Sequence, residues 1–297
     1  MPVAVDGDRE TRAPGLHVSF PEMGFKTHTG FGRHANEDAG WMAPDTFDWQ
    51  RAGRLMAVAD GMGGHKGGGF ASRYACTALA DYYLYLPRRC SPQNPAELCR
   101  HLRDIFYRTD RGLRLIAGKT RKMQDMGTTL ACLVWTPTHS IIGHVGDSRI
   151  YRWRGGHLCC LTTDHTFVQE MIDEGEIEPA AAGSHPLRHL LTQAVGTAEP
   201  LEYVFARVDP IRPGDRFLLC TDGLHNAVSN AQIADIMEQD ADAGTMASNL
   251  VQQALGNRTR DNVTVLVARV ADAGEGRPAA AEKSRDDNII LKDGFSR

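Results

Sequence analysis

The chain has 297 residues, 33 Lys and Arg against 37 Asp and Glu, a formal net charge of −4, and 42% hydrophobic residues. This is ordinary globular composition, long enough for one large domain or two small ones. It argues against a nucleic-acid partner, since no Lys/Arg run forms a basic arm, and against a membrane partner, since no apolar stretch approaches spanning length.

Residues 1–22 are polar and punctuated by Pro and Gly, and read as a flexible N-terminal arm. Asp6, Asp8 and Glu10 with no apolar core are unlike a signal peptide. Met23 to Thr29 and Ala39 to Met42 read as short strands around the segment Gly30–Asp38, with a loop near Asp45 to Gly53. Leu55 to Ala59 is an apolar run of buried-strand length that ends in Asp60 and a glycine-crowded turn. The spacing of Ala71, Tyr74, Ala75, Ala78, Leu79 and Tyr82 predicts a helix over 70–86. Leu98, Leu102, Ile105, Phe106, Leu113 and Ile116 predict another over 96–117.

Thr128 to Trp135, Ser140 to Val145, Ile150 to Arg154 and His157 to Leu161 read as strands joined by short turns, which favours antiparallel pairing. Asp164 to Thr166 can cap a short helix reaching Glu174. Gly175 to Leu190 lacks periodicity and reads as a mobile surface flap. Tyr203 to Val208 and Arg216 to Thr221 follow as strands, the second again ending in Asp-Gly. Then come helices over 230–238 and 245–255 and a β-branched strand over 262–270. Residues 271–297 read as a flexible C-terminal tail in which Ile289 to Leu291 could dock. No repeat interrupts 23–270, so one domain is the economical reading.

The seven cysteines form no Cys-x-x-Cys pair, and reduced, mostly buried thiols in the cytoplasm are expected. Cys159-Cys160 fits a strand with one face in and one out.

Asp38, Asp60, Asp222 and Asp261 each sit at a strand edge or beside a glycine turn, and Asp147 lies in Gly-Asp-Ser-Arg. Singly, each has a structural alternative: a turn former, an ion pair of Asp147 with Arg149, a cap for the turn at Asp222 or for the strand after Asp261. Two apolar strands that both end in Asp-Gly imply a shared edge where carboxylates converge, and converging carboxylates repel unless a cation sits among them. All-oxygen ligation suits Mg²⁺ or Mn²⁺, and the histidines offer no zinc spacing. Such a cluster can hold two ions about 3.5–4 Å apart, which turn a shared water into a nucleophile toward phosphorus. Arg33, just before Asp38, could clamp the phosphate in bidentate fashion or form a surface salt bridge.

Arg33-His-Ala-Asn-Glu-Asp38, Val58-Ala-Asp-Gly-Met-Gly-Gly-His65, Gly127-Thr-Thr129, Gly146-Asp-Ser-Arg149, Asp164-His165, Thr221-Asp-Gly223 and Asp261-Asn-Val-Thr264 occur in order. Together they resemble the metal-dependent serine/threonine protein phosphatases, the PPM or type 2C family, in its prokaryotic form. The resemblance spans about 23–270. It implies an α+β fold, a four-layer α-β-β-α sandwich of two mainly antiparallel sheets flanked by helices. It implies two Mn²⁺ or Mg²⁺ ions and a third, weaker one. Asp60 would bridge the pair. The Gly61 carbonyl and Asp38 would serve one ion, Asp222 and Asp261 the other, and Asp147 with Asp222 the third. Glu37 would hold waters around the ions, Arg33 would bind the substrate phosphate, and residues 166–190 would form the family's flap.

Three positions depart from the pattern. Asn226 replaces an acid, Gly69 a frequent Glu, and Met62 a His that in some relatives protonates the leaving group. His65 and His185 are then the candidate general acids, beside a metal-bound water. The implied activity is hydrolysis of phosphoserine and phosphothreonine in proteins by a monomeric enzyme opposing a bacterial Ser/Thr kinase, in secretion, envelope or stress signalling. The alternatives are a binding module that has lost the chemistry, and a nuclease or hydrolase of small phosphoesters.

Overall fold

A computed structural model describes residues 21–44, 53–63, 67–85 and 94–270. Residues 1–20, His65, Cys90, most of the expected loop at 45–53, and the tail with Ile289 to Leu291 lie outside the described residues.

Two antiparallel sheets face each other. One runs β1 (Pro21–His28), β11 (Val263–Val270), β10 (Arg216–Cys220), β7 (Arg149–Arg154), β8 (His157–Cys160). The other runs β2 (Asp38–Met42), β3 (Arg54–Met62), β5 (Leu130–Trp135), β6 (His139–Val145), β9 (Phe205–Pro210), with the short β4 (Gly127–Thr128) pairing to β3. Strand alternation sorts the apolar residues into three layers. Met56, Val58, Leu133, Trp135, Phe217, Leu219 and Leu266 fill the space between the sheets, where the Trp135 and Phe217 rings meet edge to face at 5.1 Å. Leu55, Ala57, Ala59, Cys132 and Val134 point the other way, onto α1 (Gly67–Tyr85) and α2 (Pro95–Ala117). Leu218, Cys220, Val265 and Val267 point onto α5 (Asn230–Glu238) and α6 (Ala243–Gly256). Central strands buried on both faces are the reason these segments read as unbroken apolar runs. The expected four layers are the result, and no helix among the described residues is long and apolar enough to cross a membrane.

The helices begin where the local chemistry says they should. Asn94 accepts the Glu97 N–H at 3.2 Å and Pro95 opens α2; Ser229 and Gln232 form a capping box at α5; Asp242 caps α6.

Several expectations need correcting. The single strand expected at 128–135 is broken at Thr129 into β4 and β5, because Thr129 turns its N–H and hydroxyl to the Asp60 backbone. The strand expected from Tyr203 is β9, which starts at Phe205. Asp222 opens a one-turn helix, α4 (Asp222–His225), rather than a plain turn. The short helix expected after Asp164 to Thr166 is present as α3 (Phe167–Asp173), capped by Thr166, while the stretch expected to lack regular structure carries a 3₁₀ turn over Pro179–Ser184; backbone bonds Phe167–Leu190 and Thr192–His165 join the two ends of the flap. Of the described cysteines only Cys76, Cys132 and Cys220 are buried. Cys159 and Cys160 are both exposed, because β8 is an edge strand with no sheet beyond it.

Candidate functional site

The site forms where one end of each sheet meets the other. Asp38 opens β2 and pairs in register with Asp60 near the end of β3, so two carboxylates start one residue pair apart on neighbouring strands. Asp38 is fully buried, and its Oδ2 accepts from the Thr221 hydroxyl at 2.9 Å and the Thr264 hydroxyl at 2.7 Å. Those threonines belong to the end of β10 and to β11, so Asp38 joins the two sheets. Asp60 is fixed from its other flank. Its N–H donates to Thr129 Oγ1 at 2.9 Å, and its carbonyl accepts from the Thr129 N–H and the Thr128 hydroxyl, both at 2.9 Å.

The backbone after Asp60 comes very close to the start of α1. A Cβ on Gly61 would fall inside the Gly68 carbonyl and 2.6 Å from the Glu37 carbonyl, and a Cβ on Gly68 would lie 2.7 Å from Gly61. Both positions therefore require glycine. Asp147 sits in the β6–β7 loop behind Gly146, whose φ of 104° and whose contact with Thr129 exclude a side chain. Asp222 stands at the first turn of α4, where its Oδ2 accepts from Asn226 Nδ2 at 3.1 Å. Asn226, the departure from an acid, thus supplies a donor to Asp222 where an acid would repel it.

The loop over 29–37 brings in Arg33. Asn262 holds this loop: its Nδ2 donates to the Thr29 and Ala35 carbonyls at 2.8 and 3.0 Å, and its Oδ1 accepts the Glu37 N–H at 2.8 Å. Arg33 makes a 2.7 Å ion pair with Asp261, side chains 52% and 35% exposed, and lies in the field of Asp60 and Asp222. Arg33 thus forms the surface salt bridge, and that bridge lies on the rim of the acid cluster. Asp261 Oδ1 also accepts the Asn262 N–H at 2.8 Å, a local turn bond rather than a strand cap.

Electrostatics identifies these acids as one group. Burial pushes the Asp38 carboxyl up to about 7, with Asp222 and Asp261 adding to the rise against the two threonine hydroxyls. Asp60 is driven well above the usual carboxylate range by burial and then by Asp38, Asp222, Asp147 and Asp261. Burial and Asp261 push Asp222 up to about 6, and burial with Asp222 raises Asp147. Arg149 lowers Asp147 only through its field and makes no ion pair with it. Its guanidinium is taken bidentately by Asp164 at 2.7–3.2 Å, which overturns the Asp147–Arg149 alternative.

Among the described residues, no three acid, His or Cys side chains close tightly around one point. Like charges hold one another apart, and Mg²⁺ or Mn²⁺ characteristically keeps several waters between itself and a sparse set of carboxylates. The donor chemistry fits such ions. Asp38 Oδ1, Asp222 Oδ1 and Glu37 Oε1 are buried oxygens without a hydrogen-bond partner, a costly arrangement that a divalent cation with its waters would satisfy.

His65 lies outside the described residues, and the His185 ring accepts only the Leu187 N–H. The sequence reading overlooked His189. It lines a polar cleft with Asp147, Gln169, Arg188, His225 and Asn226, and it feels Asp261. It also overlooked Thr221, Thr264 and Asn262, although the last two stand in the Asp261-to-Thr264 motif and Thr221 directly precedes Asp222.

Residues 34–257 match the family described as Protein phosphatase 2C. The serine/threonine protein phosphatase PstP of Mycobacterium tuberculosis is 36% identical over 269 residues, covering 86% of this chain and 49% of PstP. The chain thus spans about half the length of that relative. The serine/threonine phosphatase stp of Listeria welshimeri is 32% identical over 256 residues, covering 86% of this chain and 98% of its own. A solved catalytic domain of PstP, in complex with two manganese ions, superposes with a TM-score of 0.71 at 31% identity, covering 85% of this chain and 99% of that one.

Proposed function

The chain belongs to the protein phosphatase 2C family, and from that premise we propose that it hydrolyses phosphoserine and phosphothreonine in proteins with two divalent ions, Mn²⁺ or Mg²⁺. The observation that carries this reading is the convergence of Asp38, Asp60 and Asp222 from the ends of both sheets, with partnerless buried oxygens and Arg33 at the rim. In this reading Asp60 would serve both ions, Asp38 and the Gly61 carbonyl one of them, and Asp222 and Asp261 the other. Glu37 would order the surrounding waters. Asp147 with Asp222 would hold a third, weaker ion.

Ions bound there supply charge neutralisation and the activated water of a metal-dependent phosphoester hydrolysis. The protein does the positioning. Thr221 and Thr264 hold the Asp38 carboxylate in one orientation, and Thr128 and Thr129 hold the backbone of Asp60. Arg33 orients the phosphoryl oxygens, for which the phosphate competes with Asp261. The buried thiols Cys76, Cys132 and Cys220 take no part, since burial raises each far from thiolate. The enzyme acts as a cytoplasmic monomer on phosphoproteins made by a Ser/Thr kinase of the same cell.

The test is release of phosphate from a phosphothreonine peptide with Mn²⁺. A chelator should abolish it, and Asp60→Asn should lower kcat by at least about 10²-fold, the size of effect expected when an electrostatic contact to the transition state is lost. Full turnover in either case would defeat the mechanism. A fold that has lost the chemistry would bind no Mn²⁺ in calorimetry.

A further inference from the structure

The outer face of α2 carries positive charge that its neighbours leave unanswered. One side of the helix is buried through Leu98, Leu102, Ile105, Phe106 and Leu113. On the other side Arg103, Arg108 and Arg111 stand in solvent, and Lys119, Arg121 and Lys122 continue the series through the 3₁₀ turn Arg121–Met123. None of these makes an ion pair or side-chain hydrogen bond among the described residues, whereas Arg114 bonds Asp110 at 2.9 Å and Arg100 reaches Glu97 at 3.9 Å. Asp104 shares the helix face, the exposed Asp125 follows the turn, and Tyr107 and Leu115, 40% and 58% exposed, lie among the cations. Such a concentration is out of keeping with a chain of net charge −4.

Its position gives it meaning. The turn after Lys122 leads into β4, where Gly127 pairs with Met62 and Thr128 with Gly61. A Cβ on Gly63 would lie 2.6 Å from the Met126 backbone, so this turn abuts the loop that follows Asp60. The cationic series therefore starts beside the loop that follows Asp60 and runs away from it along the C-terminal part of α2, from Ala117 back to Arg103, about 21 Å.

We propose that this face is a docking surface for the acidic flank of a phosphoprotein substrate, whose phosphoresidue occupies the cluster. The proposal rests on the phosphatase reading of that site. A peptide extended at about 3.3 Å per residue covers this stretch of the helix with roughly six residues. Its carboxylates would otherwise meet only the repelling field of the aspartates, so a cationic track beside them both steers and retains an acidic chain. Continuity with the site favours a polypeptide over a lipid surface, which would contact the helix without reaching the aspartates.

The experiment uses the full chain with Mn²⁺ and the variant Arg103→Gln/Arg108→Gln/Arg111→Gln, all exposed positions away from the acid cluster. Substrates are a phosphothreonine peptide with a glutamate run on either flank, its glutamine counterpart, and p-nitrophenyl phosphate. Wild type should favour one glutamate peptide about tenfold in kcat/KM at low salt, through KM, a size reached by a few exposed charge pairs acting together. The variant should lose that preference, keep its kcat and its p-nitrophenyl phosphate rate, and recover with lysines in place of the glutamines. Raised salt should erase the preference in wild type. Equal use of both peptides by wild type, or an unchanged preference in the variant, overturns the proposal. So does loss of binding to phosphatidylserine vesicles with peptide preference intact. Fluorescence anisotropy of a labelled glutamate peptide in chelator reads docking without turnover. An enzyme inactive on every substrate would sink the phosphatase reading while that binding result still judged the surface.

Discussion

Asp222→Asn separates a carboxylate held in a repelling cluster from one that merely caps a helix. In chelator, burial and Asp261 hold the Asp222 carboxyl up at about 6 from an ordinary 3.8. At about 1.4 kcal/mol per unit, ionised Asp222 costs the metal-free fold about 3 kcal/mol at neutral pH. The sign follows from proton uptake. Between pH about 4 and about 6 the native state keeps a proton that the unfolded chain releases, so stability is lost as pH rises through that window. Asparagine removes the charge, and its oxygen can still accept from Asn226. The variant should therefore be more stable than wild type in chelator, by about 1–3 kcal/mol near pH 7.5, or roughly 3–8 °C in Tm for a domain of this size. The gain should vanish near pH 4. With Mn²⁺ the order reverses: wild type gains Tm through linkage, and the variant gains little. Thermal unfolding at both pH values, with chelator and with Mn²⁺, checks this. Destabilisation of the variant at both pH values, or an undiminished Mn²⁺ response, would refute the electrostatic account.

Thr264→Val removes a hydroxyl that lies 2.7 Å from Asp38 and 2.8 Å from Thr27. It should cost about 1–2 kcal/mol in urea unfolding and weaken Mn²⁺ binding in calorimetry, since a buried carboxylate loses a donor. Arg149→Ala leaves Asp164, with its side chain 13% exposed, without the guanidinium that holds its carboxyl down against burial. A loss of about 3–5 kcal/mol is expected, partly recovered in the double variant with Asp164→Ala, because breaking a buried pair strands the remaining charge. Gly61→Ala drives a methyl into the Gly68 carbonyl, where backbone cannot yield. It should cost about 3 kcal/mol or more and abolish turnover, read by circular dichroism melting and peptide assay.

The repeating parts of the fold were legible in local chemistry. Helical spacing from Ala71 to Tyr82 and from Leu98 to Leu113 placed α1 and α2 to within three residues at each described end, and the helix expected over 230–238 is α5. Errors fell where tertiary partners override local preference. Thr129 reads as strand but interrupts one, because the Asp60 carbonyl accepts its N–H and the Asp60 N–H donates to its hydroxyl. Cys159 and Cys160 read as one in and one out, but both are exposed on β8, which closes the edge of its sheet. Arg149 stands two residues from Asp147 and yet pairs with Asp164. Proximity in sequence does not say which of two acids shares a face with a guanidinium.

The sequence alone determined which residues could carry the chemistry, because strands that run apolar into Asp-Gly announce a buried edge ending in charge. The layering was implied by the family resemblance of the ordered motifs, and its physical reason is that strands buried on both faces must be covered on both. Only the tertiary structure decided which partners those acids have. The register that sets Asp38 opposite Asp60, the threonine hydroxyls from the other sheet, and the approach of Gly68 to Gly61 are contacts between segments far apart in the chain. The raised carboxyl pKa values arise from the same gathering. Burial and mutual repulsion depend on distance through space, which no stretch of sequence contains.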